Sequence, residues 1–471
     1  MGRMDSMSGS NNKNDAMSIG NACTDVGISF CVYLVTLGCD KNRVDSEVML
    51  ARLIGTGRFT PVDEPGKADV IIVNTCGFIR EATQESIDTI LEMASYKADV
   101  DATCRALVIT GCMSERYRED AHAAIPEADA ILGVKDTDAI VQVVLGLFGE
   151  DAPATTSGTT PDRAQSRAYF HAGHVAHVKI SDGCDNACTY CTIPSIRGAY
   201  TSRPMEEIIT ECETLLNAGA SELVLVAQDT ALYGMDLYGK PRLYELLQAI
   251  ANLPGNHWVR LMYAYPEHIT PEIISAIAEF PNICKYIDLP IQHSETEVLR
   301  RMGRPGTREG LLDLIGELRD KIPGIALRTT LMVGFPGETV EDFRGLYNFV
   351  KEARFDRLGV FPYSREEGTP AAILPRQVKD EVKHTRRDRL MRLQHKIHKG
   401  KQQAKIGQTI DVMVDEAQEN GIYVGRTQSD AYEVDAVVQF TAPDPLRAGE
   451  IVPVTITHAH EYDLQGVISQ Q

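Results

Sequence analysis

The sequence predicts an α/β protein in three parts: an N-terminal doubly wound parallel sheet, a central partial β/α barrel of TIM type, and a small all-β barrel at the C-terminus. Three observations predict it. Short β-branched runs alternate with helical patterns over residues 31–149, the same alternation resumes six times within residues 169–400, and residues 401–471 carry short alternating runs parted by turn residues.

In the first part the expected strands are Cys31–Thr36, Asp69–Val73 and Ala106–Thr110, and each ends close to a cysteine. Residues 150–168 fall into Ala, Pro, Thr, Ser and Gly without periodicity, the composition of a linker. The second part offers strands at His177–Ile180, Leu223–Val226, Trp258–Leu261, Tyr286–Leu289, Ala326–Thr329 and Leu358–Phe361. From Val378 to Lys401, Lys and Arg recur among Leu390, Met391, Leu393 and Ile397, which predicts an amphipathic connecting helix with a solvated charged face. The third part shows its strands most clearly at Thr409–Val414 and Ile451–Ile456.

A chain of 471 residues exceeds what one core usually serves, and 43% hydrophobic with 24% charged residues is ordinary for globular protein. Residues 1–30, rich in Ser, Asn, Gly and Asp, are expected to be a disordered extension, and they lack the apolar core of a signal peptide. No later run approaches the roughly 18 apolar residues of a membrane span, so no membrane is expected and the predicted location is the cytoplasm. In that reducing compartment the 11 cysteines are expected to be ligands, reactive thiols or packing residues, not disulfide partners. The net charge of -19 argues against a broad grip on nucleic acid and suits a basic partner.

Cys184, Cys188 and Cys191 lie on one predicted loop after the first strand of the second part. Iron-sulfur clusters take Cys thiolates and normally four ligands, so three close thiolates leave one iron open. Structural zinc would need a fourth Cys or His at short spacing, and none follows. Cys39, Cys76 and Cys112 are far apart in sequence, yet each sits just past an expected strand. In an open parallel sheet those ends share the edge where ligands collect, so the three could meet at one cluster. On the residues alone, three packing cysteines read equally well. Cys23, Cys31, Cys104, Cys212 and Cys284 read as packing, and His174 and His177 as structural.

The pattern Cys-x-x-x-Cys-x-aromatic-Cys on the first loop of a β/α barrel resembles the signature of the radical-SAM superfamily. The resemblance implies that a 4Fe-4S cluster on Cys184, Cys188 and Cys191 binds S-adenosylmethionine at its open iron and makes these the catalytic cysteines. It implies further that Tyr190 and the backbone at Ile193 line the adenine. Gln228 and Asp229, ending the second barrel strand, and Arg328 and Thr330, on the fifth, are weaker candidates for reaching the cofactor.

The order of parts resembles the methylthiotransferase family, whose N-terminal domain carries three cysteines and whose C-terminal barrel is a TRAM domain. The stretches Tyr286–His293, Arg301–Gly306, Arg328–Thr339, Gly425–Arg426 and Ala431–Asp435 are most similar to the branch that modifies a ribosomal protein. Gly303 departs from that pattern, standing where a second Arg is expected. The resemblance implies a second 4Fe-4S cluster on Cys39, Cys76 and Cys112, whose sulfur is methylated by S-adenosylmethionine and coupled to a substrate carbon radical. It also implies a substrate, an aspartate of the small-subunit ribosomal protein of the decoding centre, and an electron donor such as flavodoxin or ferredoxin.

Charge separates the branches. Residues 401–471 carry four Lys and Arg against eleven Asp and Glu, a net -7, which suits a basic protein partner better than tRNA. The alternatives are a tRNA methylthiotransferase acting on a modified adenosine, and a non-catalytic iron-sulfur protein that binds RNA or the ribosome.

Overall fold

A computed structural model describes residues 29–99, 101–150 and 173–469. Most of the expected N-terminal extension and of the expected linker lies outside the described residues, and Phe30, expected in the extension, opens the first strand instead. The chain divides into two compact units, one holding residues up to 172 together with Thr192–Gly198, the other holding Gly173–Cys191 and everything from Ala199 onward. The short segment just after Cys191 therefore belongs to the first unit, a placement that chain order does not suggest.

In the first unit β1 (Phe30–Thr36), β2 (Phe59–Pro61), β3 (Val70–Thr75), β4 (Ala106–Gly111) and β5 (Ala130–Ile131) form a parallel sheet in the order β2-β1-β3-β4-β5. Alternating side chains face opposite sides of a strand. Val32, Val70, Ile72 and Val108 pack with Met49, Leu50 and Leu53 of the helix Asp40–Gly55 and with Val144 of the helix Ile140–Leu147. Tyr33, Val35, Ile71, Val73 and Ile109 pack on the other side with Ile90 and Met93 of the helix Arg80–Ala98. Both faces are covered, which is why β3 and β4 read as unbroken apolar runs. The strand order reverses between β1 and β3, and Cys39 and Cys76 follow those two strands.

The second unit opens with β6 (Val175–Lys179), then the short antiparallel pair β7 (Ser181–Asp182) and β8 (Thr201–Ser202). Next come β9 (Glu222–Val226), β10 (Trp258–Leu261), β11 (Tyr286–Asp288), β12 (Ala326–Val333) and β13 (Arg357–Pro362). They make two parallel three-stranded sheets, β10-β9-β6 and β11-β12-β13, with a parallel bridge from Val259 to Ile283 where the sheets adjoin. One apolar core, from Val178 and Leu225 through Ile287 to Leu327 and Phe349, runs through both sheets and their helices. All six barrel strands fall where the sequence places them. The edge strands β2 and β5 and the pair β7 and β8 are too short to leave a periodic signal.

The connecting helix runs Asp380–Gln403, and its charged face is not wholly solvated. Lys383 and Arg386 are buried; Lys383 donates to the Tyr363 carbonyl and Arg386 pairs with Glu338. Beyond it β14 (Thr409–Ala417), β15 (Ile422–Arg426), β16 (Val438–Thr441), β17 (Ile451–Ala459) and β18 (Leu464–Ile468) close a barrel in the order β14-β15-β16-β18-β17 around Val412, Val414, Phe440, Val454 and Ile456.

Candidate active site

In the first unit Cys39, Cys76 and Cys112 stand past the C-terminal ends of β1, β3 and β4. They converge. Gly38, with φ +98°, comes so near Cys76 that a Cβ at position 38 would lie 3.0 Å from the Cys76 Sγ. Burial pushes the Cys76 thiol up to about 12, and the nearby Cys39 and Cys112 add to that shift. Burial raises Cys112 as well, opposed by Arg197. Asn42 braces the cradle: its Nδ2 donates to the carbonyls of Leu37, 2.8 Å, and Thr75, 3.0 Å, in the two loops that lead to Cys39 and Cys76. Asn74 in turn donates to the Asn42 carbonyl and the Ser46 hydroxyl.

In the second unit the loop of Cys184, Cys188 and Cys191 leaves the strand pair after β6. It is held by hydrogen bonds at several points. Asp185 accepts from the Tyr200 amide at 3.0 Å, Asn186 donates to Asp229 at 3.1 Å, and the Cys191 amide donates to the Cys188 carbonyl at 3.1 Å. Thr189 is clamped by the turn after the helix Thr296–Arg301: its amide donates to the Met302 carbonyl and its hydroxyl to that of Arg301, both at 2.9 Å. Gly303 explains its own departure from the family pattern. Its φ is +73° and a Cβ there would meet the Ala187 carbonyl oxygen at 2.4 Å, so the cysteine loop occupies the space a side chain would need. Burial raises the Cys184 thiol, with the Asn186 amide working against it.

The ends of the neighbouring strands supply the rest. Both polar atoms of the Gln228 amide, just past β9, are buried with no hydrogen-bond partner. Asp229 is engaged, accepting from Asn186 and lying 2.7 Å from His268 Nδ1. Arg328 is engaged too: its guanidinium lies 2.6 Å from Asp435 and 3.6 Å from Asp288. Tyr190 packs edge-on to Phe335. Ile193 begins the helix Ile193–Arg197, which belongs to the first unit. Thr330 lies on β12.

Several residues near the triads carry no sequence signal. The Tyr265 hydroxyl lies 3.9 Å from the Cys188 Sγ, and the Arg304 guanidinium sits 3.9 Å above the Tyr265 ring. Tyr263 and Gln292, just past β10 and β11, hold φ of +57° and +67°, a conformation that costs energy for residues with a side chain and gathers at working sites. Gln292 and Arg304 fall within stretches the sequence reading singled out, while Tyr263 and Tyr265 do not.

The two donor sets fit iron-sulfur clusters. Each offers three cysteines, all free of disulfides. Among the described residues no group of three or more His, Cys, Asp or Glu is set to hold a single metal ion. A cluster takes each thiolate on a different iron, and so asks for a wider triad. The unsatisfied Gln228 amide fits a polar ligand beside the Cys184 loop, because a buried amide without partners is costly unless something meets it.

Comparison with known proteins decides the family. Residues 31–133 match the Uncharacterized protein family UPF0004, residues 178–350 the Radical SAM superfamily, and residues 406–468 the TRAM domain. The chain is 47% identical over 444 residues to the ribosomal protein uS12 methylthiotransferase RimO of Desulforamulus reducens, covering 93% of this chain and 99% of that one. The chain belongs to the RimO family. Its RimO relative in Clostridioides difficile is 46% identical, covering 92% of this chain and 98% of the relative. The RimO of Clostridium botulinum (strain Hall) is 45% identical with coverage of 93% and 98%. Among solved structures, the radical S-adenosylmethionine methyltransferase TsrM from Kitasatospora setae superposes with a TM-score of 0.52 at 16% identity, over 74% of each chain, a likeness of fold.

The RimO-like stretches now have physical roles. Arg426 pairs with Glu222 and Asp415, and Asp435 with Arg328 and the Tyr286 hydroxyl, so Gly425–Arg426 and Ala431–Asp435 fasten the terminal barrel to the β/α barrel. Arg301–Gly306 grips the cysteine loop. Three of the acids counted toward the charge of the terminal barrel, Asp415, Asp430 and Asp435, turn inward to Arg426, Arg357 and Arg328. His174 lies 2.6 Å from Asp415. Among the described residues no helix is long and apolar enough to cross a membrane.

Proposed function

We infer that this chain inserts a methylthio group at the β-carbon of an aspartate in ribosomal protein uS12, by radical chemistry that uses S-adenosylmethionine and two 4Fe-4S clusters. The observation that carries the reading is identity of 45–47% to uS12 methylthiotransferases over 93% of the chain. Cys184, Cys188 and Cys191 would hold one cluster, Cys39, Cys76 and Cys112 the other. Bound there, the first cluster and S-adenosylmethionine supply a radical that removes hydrogen from the substrate carbon, and the second supplies sulfur.

The chain's own part is to position these groups and to keep competing reactions out. The clamp on Thr189 fixes the loop that carries the three cysteines past the C-terminal end of the first barrel strand, the end where barrel enzymes keep their chemistry. Gln228 and Tyr190 are assigned to S-adenosylmethionine; Gln228 has unused donors and an acceptor, while Arg328 would act from within its ion pairs and Ile193 through its backbone. Residues 31–149, 169–400 and 401–471 are taken as the three domains. The remaining acidic surface of the last domain suits a basic ribosomal protein. A small redox protein such as flavodoxin or ferredoxin is the proposed electron donor, and the cytoplasm the place of action.

The test is anaerobic turnover of the reconstituted, reduced chain with S-adenosylmethionine and either uS12 or tRNA, reading product mass and 5'-deoxyadenosine. The reading expects a methylthio gain on uS12 that Cys184→Ala abolishes together with 5'-deoxyadenosine. It expects Cys76→Ala to abolish the gain while 5'-deoxyadenosine still forms. A gain on tRNA alone would overturn the substrate, and no 5'-deoxyadenosine from a fully loaded chain would overturn the chemistry.

A further inference from the structure

The helix Ile193–Arg197 ends with its arginine beside Cys112 of the first unit. One terminal nitrogen of Arg197, Nη2, lies 3.6 Å from the Cys112 Sγ, 2.7 Å from the Asn42 Oδ1 and 3.0 Å from the Asp45 Oδ2. The side chain is 1% exposed. Its fixed position has a visible cause. Asn42 spends its amide hydrogens on the carbonyls of Leu37 and Thr75, so its oxygen can only face the guanidinium and the Cys112 thiol, 3.5 Å away. Arg197 also follows Cys191 by six residues, so one short stretch carries a ligand of one triad and the cation of the other.

We propose that Arg197 is the charge-setting residue of the Cys39, Cys76 and Cys112 cluster, raising its reduction potential through the contact with Cys112, with Asp45 as the opposing charge. The proposal rests on the reading that this triad holds a cluster. Three thiolates leave such a cluster negative, and reduction adds a further electron. A buried cation beside one ligand favours the reduced form, and hydrogen bonds to ligand sulfur and net local charge are established levers on cluster potential. The low local dielectric makes the contact count for more than it would in water. Arg197 acts through Cys112 and is a positioning residue, not a catalytic one.

The experiment uses the full chain with Cys184→Ala, Cys188→Ala and Cys191→Ala together, reconstituted anaerobically so that only the other triad can be loaded, and reads the midpoint potential by spectroelectrochemical titration. Removal of the charge by Arg197→Met is expected to lower the potential by about a tenfold change in the oxidised-to-reduced ratio, about 59 mV for a one-electron couple. Arg197→Lys is expected to restore most of it, and Asp45→Asn to move it upward. Should Arg197→Met fail to retain iron, the upward shift expected of Asp45→Asn still tests the sign. A chain that keeps its cluster while all three variants stay within twofold of the parent, or shift in one common direction, overturns the proposal. A parent triple variant that binds no iron overturns the two-cluster reading instead.

Discussion

Arg426, at the end of β15, and Glu222, at the start of β9, form an ion pair in which both side chains are essentially inaccessible, at 1% and 0% exposure. Arg260 approaches the same carboxylate at 2.6 Å, and Asp415 takes the other side of Arg426 at 2.9 Å. Buried charges are stable only when paired and hydrogen-bonded, so this chain of ions joins the terminal barrel to the β/α barrel by making separation costly. Glu222→Gln leaves two guanidinium groups short of charge. It is expected to destabilise the second unit by about 3–5 kcal/mol. Trp258, the sole tryptophan, pairs in register with Glu222, so its fluorescence during urea unfolding reads the change directly. A loss under about 1 kcal/mol would show that the joint is held by packing alone.

Acid should act on the same joint. Burial would raise Glu222, yet Arg260 and Arg426 hold it down to about 2 against an ordinary 4.5, and Asp430, buried beside Arg357, is likewise held to about 2 against 3.8. The folded chain keeps these carboxyls ionised where the unfolded chain would protonate them. Their contribution is therefore complete above about pH 4.5 and is lost as pH falls toward 2. The unfolding free energy read at Trp258 is expected to drop across that window, and Glu222→Gln to drop less steeply from its lower start. Parallel curves for the two proteins would remove Glu222 as the cause.

Gln228 offers a trade between stability and binding. Its amide has no partner in the folded chain, so Gln228→Leu is expected to stabilise the chain free of S-adenosylmethionine by about 1 kcal/mol while weakening S-adenosylmethionine binding about tenfold. Anaerobic equilibrium dialysis against thermal unfolding separates the two effects. Unchanged affinity would place the cofactor elsewhere.

Gly303 is constrained twice, by φ +73° and by the Ala187 carbonyl 2.4 Å from the place of a Cβ. Gly303→Ala is expected to cost about 1–3 kcal/mol and to lower the iron retained by the Cys184 loop after reconstitution. Gly303→Asn tests which constraint matters, because Asn tolerates the left-handed backbone but not the contact. Iron retention by the Asn variant equal to the parent's would reduce the effect to backbone strain.

The sequence by itself determined the order of the three parts and the six barrel strands, and it marked the cysteines that are candidates for the two triads. Those features rest on local chemistry: apolar runs of strand length, turn residues between them, and thiolates at spacings or strand ends that suit a cluster. Cys184, Cys188 and Cys191 stood out because one loop holds them all, whereas Cys39, Cys76 and Cys112, each past a strand of one parallel sheet, read equally well as packing cysteines without the family resemblance. Tertiary structure alone decided the rest. Arg197 belongs to Cys112 although it stands beside Cys191 in the chain, Arg328 is tied to Asp435, and acids counted as surface charge turn inward to arginines. Each of these is a pairing between residues 73 to 155 positions apart, apart from the Arg426–Asp415 pair, which joins neighbouring strands of one barrel. A single chain of letters carries the charge of each partner but not the folding that buries it, and it is burial that turns a surface charge into an obligatory pair.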